Sequence, residues 1–110
     1  QGQGWLTMEE VVWDNDGKLK TFSPSTYKIP AINDTPNEFN VEIFKNGSNV
    51  EKVVNKQKTT GEPPLMLAMS VFFAIKDAIA SISHYKKTPE LDAPATPEKI
   101  LMSINKLNKN

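Results

Sequence analysis

The chain has 110 residues, enough for one modest hydrophobic core, and its 38% hydrophobic and 24% charged content belongs to a globular protein rather than a disordered or fibrous one. Thirteen basic residues balance thirteen acidic ones, so the net positive field that nucleic acid or an anionic membrane surface requires is missing, and neither partner is expected. Cysteine is absent, which excludes a disulfide framework, thiolate zinc and iron–sulfur ligation within this stretch.

The opening QGQGW has no basic segment leading into an apolar one and so lacks a signal-peptide pattern. Without an initiator Met it reads as a piece of a longer chain. Residues 3–10, QGWLTMEE, predict a short amphipathic helix weakened by glycine. Val11, Val12 and Trp13 then favour a strand, DNDG supplies turn chemistry, and LKTF returns as the partner of a hairpin. SPSTYKIP, bounded by Pro24 and Pro30, predicts a loop with at most one helical turn.

In EFNVEIFK, residues 38–45, Phe39, Val41 and Ile43 alternate with polar residues, the period of a strand with one buried face. NGSN predicts a turn, and VEKVV, residues 50–54, a pairing partner. The strongest helix is expected from about Pro63 to about His84, with Gly61 as the hinge into it and proline in its first turn, where a missing N–H costs nothing. Its apolar run LMLAMSVFFAI ends after eleven residues at Lys76 and Asp77, short of the roughly 20 that cross a membrane. A buried helix is therefore predicted, one that needs more covering protein than 110 residues comfortably supply. Thr96 caps a last helix over about 97–108, with Ile100, Leu101, Ile104 and Leu107 on one face and a fraying NKN tail. The expected fold class is α+β: small antiparallel hairpins packed with a long buried helix and a C-terminal helix, as one unit over residues 1–110.

Glu62 is the candidate chemical group. A carboxylate at a helix N-terminus gains about 0.3–1 kcal/mol from the macrodipole, and that alone explains an acid there. Gly61 before it admits close backbone approach, and Pro63–Pro64 after it restrict the chain, the rigid placement a general base needs. His84 lies near the end of the long helix as a structural residue, and no second histidine provides metal-ligand spacing. The acids at 9, 10, 14 and 16 lack the spacing of a calcium loop, and QGQG lacks the GxGxxG pattern. Trp5, Trp13, Phe72 and Phe73 read as core rather than as a cofactor platform.

Five segments, QGQGW, PSTYKIPAI, PNEFNVEIF, GEPPLMLAMSVFFAIKDAI and LDAPATPEKI, resemble in that order the C-terminal part of the molybdenum-binding region of the xanthine dehydrogenase and aldehyde oxidase family. The resemblance runs from Gln1 to about Ile104, and Pro63–Pro64 tilt it to the xanthine dehydrogenases. It departs at Lys58-Thr59-Thr60, where the family commonly has smaller apolar residues. It implies that Glu62 is the catalytic base, taking a proton so that an oxygen from water attacks the electron-poor carbon of hypoxanthine or xanthine. It further implies that Gly61 lets the backbone approach the cofactor, that Gln1 and Gly2 belong to a segment near it, and that no residue of this chain binds the metal. The implied parent is a cytoplasmic or peroxisomal homodimer carrying molybdopterin–molybdenum, 2Fe–2S clusters and FAD and passing electrons to NAD. The remainder of the molybdopterin domain is then the segment's main partner, and the segment alone is expected to hold no cofactor and be inactive. An aldehyde oxidase segment and a cofactor-free structural or interaction module are the alternatives.

Overall fold

A computed structural model describes residues 1–45, 47–58 and 61–109 of the chain. Helix α1 spans Gly2–Thr7, α2 spans Glu62–Ile82 and α3 spans Pro97–Lys109, with single 3-10 turns at Ile32–Asp34 and Val54–Lys56. No strand occurs among the described residues, so the expected α+β class is overturned and the fold is helical.

α3 forms where its signals place it. Pro97 opens the helix, Glu98 lies in its first turn, and Lys106 and Lys109 lie in its last, each matching the macrodipole. Thr96 Oγ1 accepts the Lys99 N–H at 3.4 Å. Ile100, Ile104 and Leu107 face inward as expected, but Leu101 is 58% exposed and leaves that face. Ile79, Leu91, Ala95 and Leu107 are buried together, with Phe72, Ile75, Ile100 and Ile104 packed against them. The core thus lies between the second half of α2, the link over residues 89–96, and α3.

α2 starts one residue before the expected Pro63 and stops short of His84. Ser83 ends it, and His84 and Tyr85 follow with φ of 51° and 60°, left-handed conformations that turn the chain away. Its expected burial is wrong. Only Ala68 and Ile79 are buried, while Leu65, Met66, Leu67 and Phe73 stand in solvent, Leu67 at 71% exposure. The physical reason is area: α1 and α3 each cover one stretch of a helix that is apolar on most sides. By length and composition alone α2 is apolar enough to cross a membrane, although Lys76 and Asp77 interrupt it.

The expected strands fail for a related reason. Asp14 organises the DNDG turn by accepting the N–H groups of Asp16 (3.1 Å) and Lys18 (2.8 Å), and Gly17 supplies φ of +76°. Beyond that turn the hairpin is one antiparallel bridge, Trp13 to Leu19. Phe39, Val41 and Ile43 are 68–84% exposed in an irregular segment. Alternation encodes a face, but a strand exists only when a neighbour completes its ladder, and residues 50–54 do not pair with 38–45. The expected loop over 23–30 does contain one turn, closed by Thr26 and Tyr27 N–H groups on Ser23 O. Asn46 of the NGSN turn and Asn110 of the tail lie outside the described residues, as do Thr59 and Thr60. The Cα radius of gyration, 18.2 Å, exceeds the roughly 13 Å of a compact 100-residue domain, as open segments and an uncovered helix require.

Candidate active site at the start of the long helix

Gly61 sits at the N-cap of α2 with φ −80° and ψ −42°, and Glu62, Pro63 and Pro64 make the first turn. Two prolines fix φ near the helical value without removing any hydrogen bond, because first-turn N–H groups have no intrahelical acceptor. The backbone beneath Glu62 is therefore set by covalent structure. Its side chain is exposed, and it enters none of the ion pairs among the described residues, which join Lys20 to Asp14, Lys99 to Glu10 and Lys106 to Glu90.

Glu62 borders a shallow open groove of about 670 Å³ that is also lined by Asn49, Glu51, Gln57, Lys58, Pro63 and Met66. Gly61 does not need to be glycine for its φ. A Cβ there would meet nothing within 4 Å, so the missing side chain leaves clear space beside the carboxylate. The described residues contain no group of three or more His, Asp or Glu placed to hold a metal ion.

α1 gathers the segments. A Cβ on Gly2 would overlap the Pro64 carbonyl and stand 2.6 Å from the Ala68 Cβ, so α1 lies directly on the first turns of α2. The start of the chain is thereby brought to the first turns of α2, against Pro64 and Ala68. On the other side of α1, a Cβ on Gly4 would fall 2.7 Å from Pro30 Cδ, and Gln3 Nε2 donates to Asp34 O at 3.4 Å. Ala95 N–H donates to Leu6 O at 2.7 Å. Tyr27 Oη donates to Glu9 Oε2 at 2.6 Å, and this hydrogen bond to a carboxylate raises the phenol above its ordinary value of 10.0. Of the five segments that carry the family resemblance, QGQGW forms most of α1, three others meet it, and PNEFNVEIF lies open in solvent.

The sequence pointed to Glu62, Gly61 and Pro63–Pro64, and to Pro30 as a loop boundary, but not to the packing of Pro64 O, Ala68, Pro30 and Ala95 around α1. Their signal, small or cyclic residues spaced far apart in sequence, carries no period to detect. His84 is exposed beyond the end of α2, and its backbone N–H donates to Ser81 O at 2.9 Å. Phe72 packs on the core and meets Phe73 edge to face at 5.8 Å, but Phe73 and Trp13 are exposed and do not belong to the core.

A family model described as a molybdopterin cofactor-binding domain matches residues 1–36. The xanthine dehydrogenase/oxidase of Mus musculus is 48% identical over 106 residues, covering 91% of this chain and 8% of its own length. The xanthine dehydrogenase of Oryza sativa subsp. japonica is 44% identical over 114 residues, covering 94% and 8%. That of Dictyostelium discoideum is 45% identical over 106 residues, also covering 94% and 8%. The chain therefore spans 8% of the length of the relatives it matches.

Proposed function

Because the chain belongs to the xanthine dehydrogenase family, as a segment related to its molybdopterin cofactor-binding region, we propose that it contributes the catalytic base, Glu62, to a purine-oxidising enzyme. The observation that carries this reading is an exposed carboxylate with no ion-pair partner among the described residues, on a turn fixed by Pro63 and Pro64, with open space at Gly61.

The residues present fit the cofactor as a facing wall and not as a cradle. Glu62 and Gly61 border open space, while no described cluster offers metal ligands. When bound, the cofactor supplies a two-electron acceptor and a Lewis acid that acidifies a water-derived nucleophile. Glu62 accepts the proton of that nucleophile, the prolines restrict the backbone that carries it, and Gly61 keeps side-chain bulk from the approach.

The overall reaction proposed for the full-length protein is oxidation of hypoxanthine and xanthine to urate with oxygen from water. Pterin contacts, substrate-orienting side chains, iron–sulfur clusters and flavin come from the rest of a homodimeric parent, and the segment alone is inactive. The test is Glu62→Gln in the full-length protein. Xanthine turnover is expected to fall about 10²–10⁴-fold with molybdenum content retained. Unchanged turnover, or loss of the metal, removes the assignment.

A further inference from the structure

We infer that Gly2 is a positioning residue for Glu62: the side-chain-free face of α1 at Gly2 seats the first turn of α2 and with it the carboxylate. The inference rests on the reading of Glu62 as base.

Gly2 is buried at the first position of α1, so its lack of a side chain calls for a packing cause. The cause is contact with α2. A Cβ would overlap the Pro64 carbonyl oxygen and lie 2.6 Å from the Ala68 Cβ, and Ala68 is itself 3% exposed. Pro64 is two residues from Glu62 in the same rigid turn.

Which partner would move decides the effect. Residues two apart on a helix point about 200° away from each other, so Gly4 faces the opposite side of α1, and that side is blocked by Pro30. The Ala95–Leu6 hydrogen bond at 2.7 Å and the Lys99–Glu10 ion pair tie the chain around the end of α1 to the start of α3. α1 is thus backed on its far side, whereas Glu62, Pro63 and Leu65 at the start of α2 are exposed. A methyl group on Gly2 therefore displaces the first turn of α2, and a shift of about 1 Å at a reacting group costs about 10²-fold in rate.

The experiment compares Gly2→Ala, Glu62→Gln and the double variant in the full-length protein, measuring molybdenum content, kcat and KM for xanthine. Gly2→Ala is expected to lower kcat about 10²-fold, with KM and metal content near those of the unmodified protein. On the Glu62→Gln background it is expected to cause no further loss, because the group it positions is gone. Wild-type kcat in Gly2→Ala overturns the inference, as does an equal loss with and without Glu62, which marks a merely structural role. Should Gly2→Ala fail to fold or to retain molybdenum, Ala68→Ser enlarges the same contact from the α2 side and is judged by the same two results. Glu62→Gln alone reports separately on the base: if its turnover is unchanged, the assignment of Glu62 fails whatever Gly2 does.

Discussion

Lys87 donates its ammonium group to the carbonyl oxygen of Leu107 at 2.8 Å, placing a cation on the unpaired carbonyls at the C-terminal end of α3. Its own N–H is held by Ser83 Oγ at 3.2 Å, so the residues that close α2 also close α3. Lys87→Met keeps the aliphatic stem and removes only the charge. It is expected to lower the stability of the chain by about 0.3–1 kcal/mol at low ionic strength. Urea unfolding in low and in 1 M salt checks this: the difference between variants shrinks with salt, and a salt-independent difference would mean the charge is not the cause.

Two substitutions in α2 separate its covered part from its open part. Ile79→Ala empties a site that is 3% exposed and is expected to cost about 2–5 kcal/mol. Leu67→Ala, at 71% exposure, should change stability by less than about 0.5 kcal/mol. Chemical denaturation of the chain by itself measures both, and comparable losses would show that the first half of α2 is covered in solution.

Ser103 is 2% exposed, and its hydroxyl finds no hydrogen-bond partner among the described residues. A buried unpaired polar group costs about 1–3 kcal/mol, so Ser103→Ala is expected to raise the thermal midpoint of the chain. A lower midpoint would indicate that the hydroxyl acquires a partner in solution.

Alkaline pH should weaken the fold through named groups. The hydrogen bond to Glu9 raises the Tyr27 phenol above 10.0, and the charge of Asp77 raises that of Tyr85. Each contribution is whole below pH 10 and disappears as pH rises through the raised folded value. For the exposed pair Glu90–Lys106, their mutual hydrogen bond lowers the carboxyl below 4.5 and raises the ammonium above 10.5. The pair thus contributes between those values and is lost as pH falls through the first folded value or rises through the second. Being exposed, it contributes little. Thermal midpoints of the chain and of Tyr27→Phe should differ by a constant amount from pH 7 to 9 and converge above 10. A gap that widens at high pH would contradict the assignment.

How much of this was legible depends on where the information lies. α3 could be read because its cap, its first proline and three of its four apolar positions sit within one stretch. The bounds of α2 could be read for the same reason, but its burial could not, because hydropathy records what a residue prefers and not whether anything covers it. Phe39, Val41 and Ile43 specify a strand face without specifying a neighbour. Glu62 stood out only modestly as a carboxylate at a helix start, and the ordered family resemblance gave it a chemical role. The contact of Gly2 with Pro64 and Ala68 joins residues distant in sequence and leaves no periodic trace.

The open first half of α2 also shapes how the chain takes up heat. Unfolding raises heat capacity in proportion to the apolar surface newly given to water, typically about 12–15 cal/mol/K per residue. Leu65, Met66, Leu67 and Phe73 already stand in water when the helix is intact, so melting it uncovers little more. The segment by itself should show a shallow calorimetric baseline step and a stability that hardly curves with temperature.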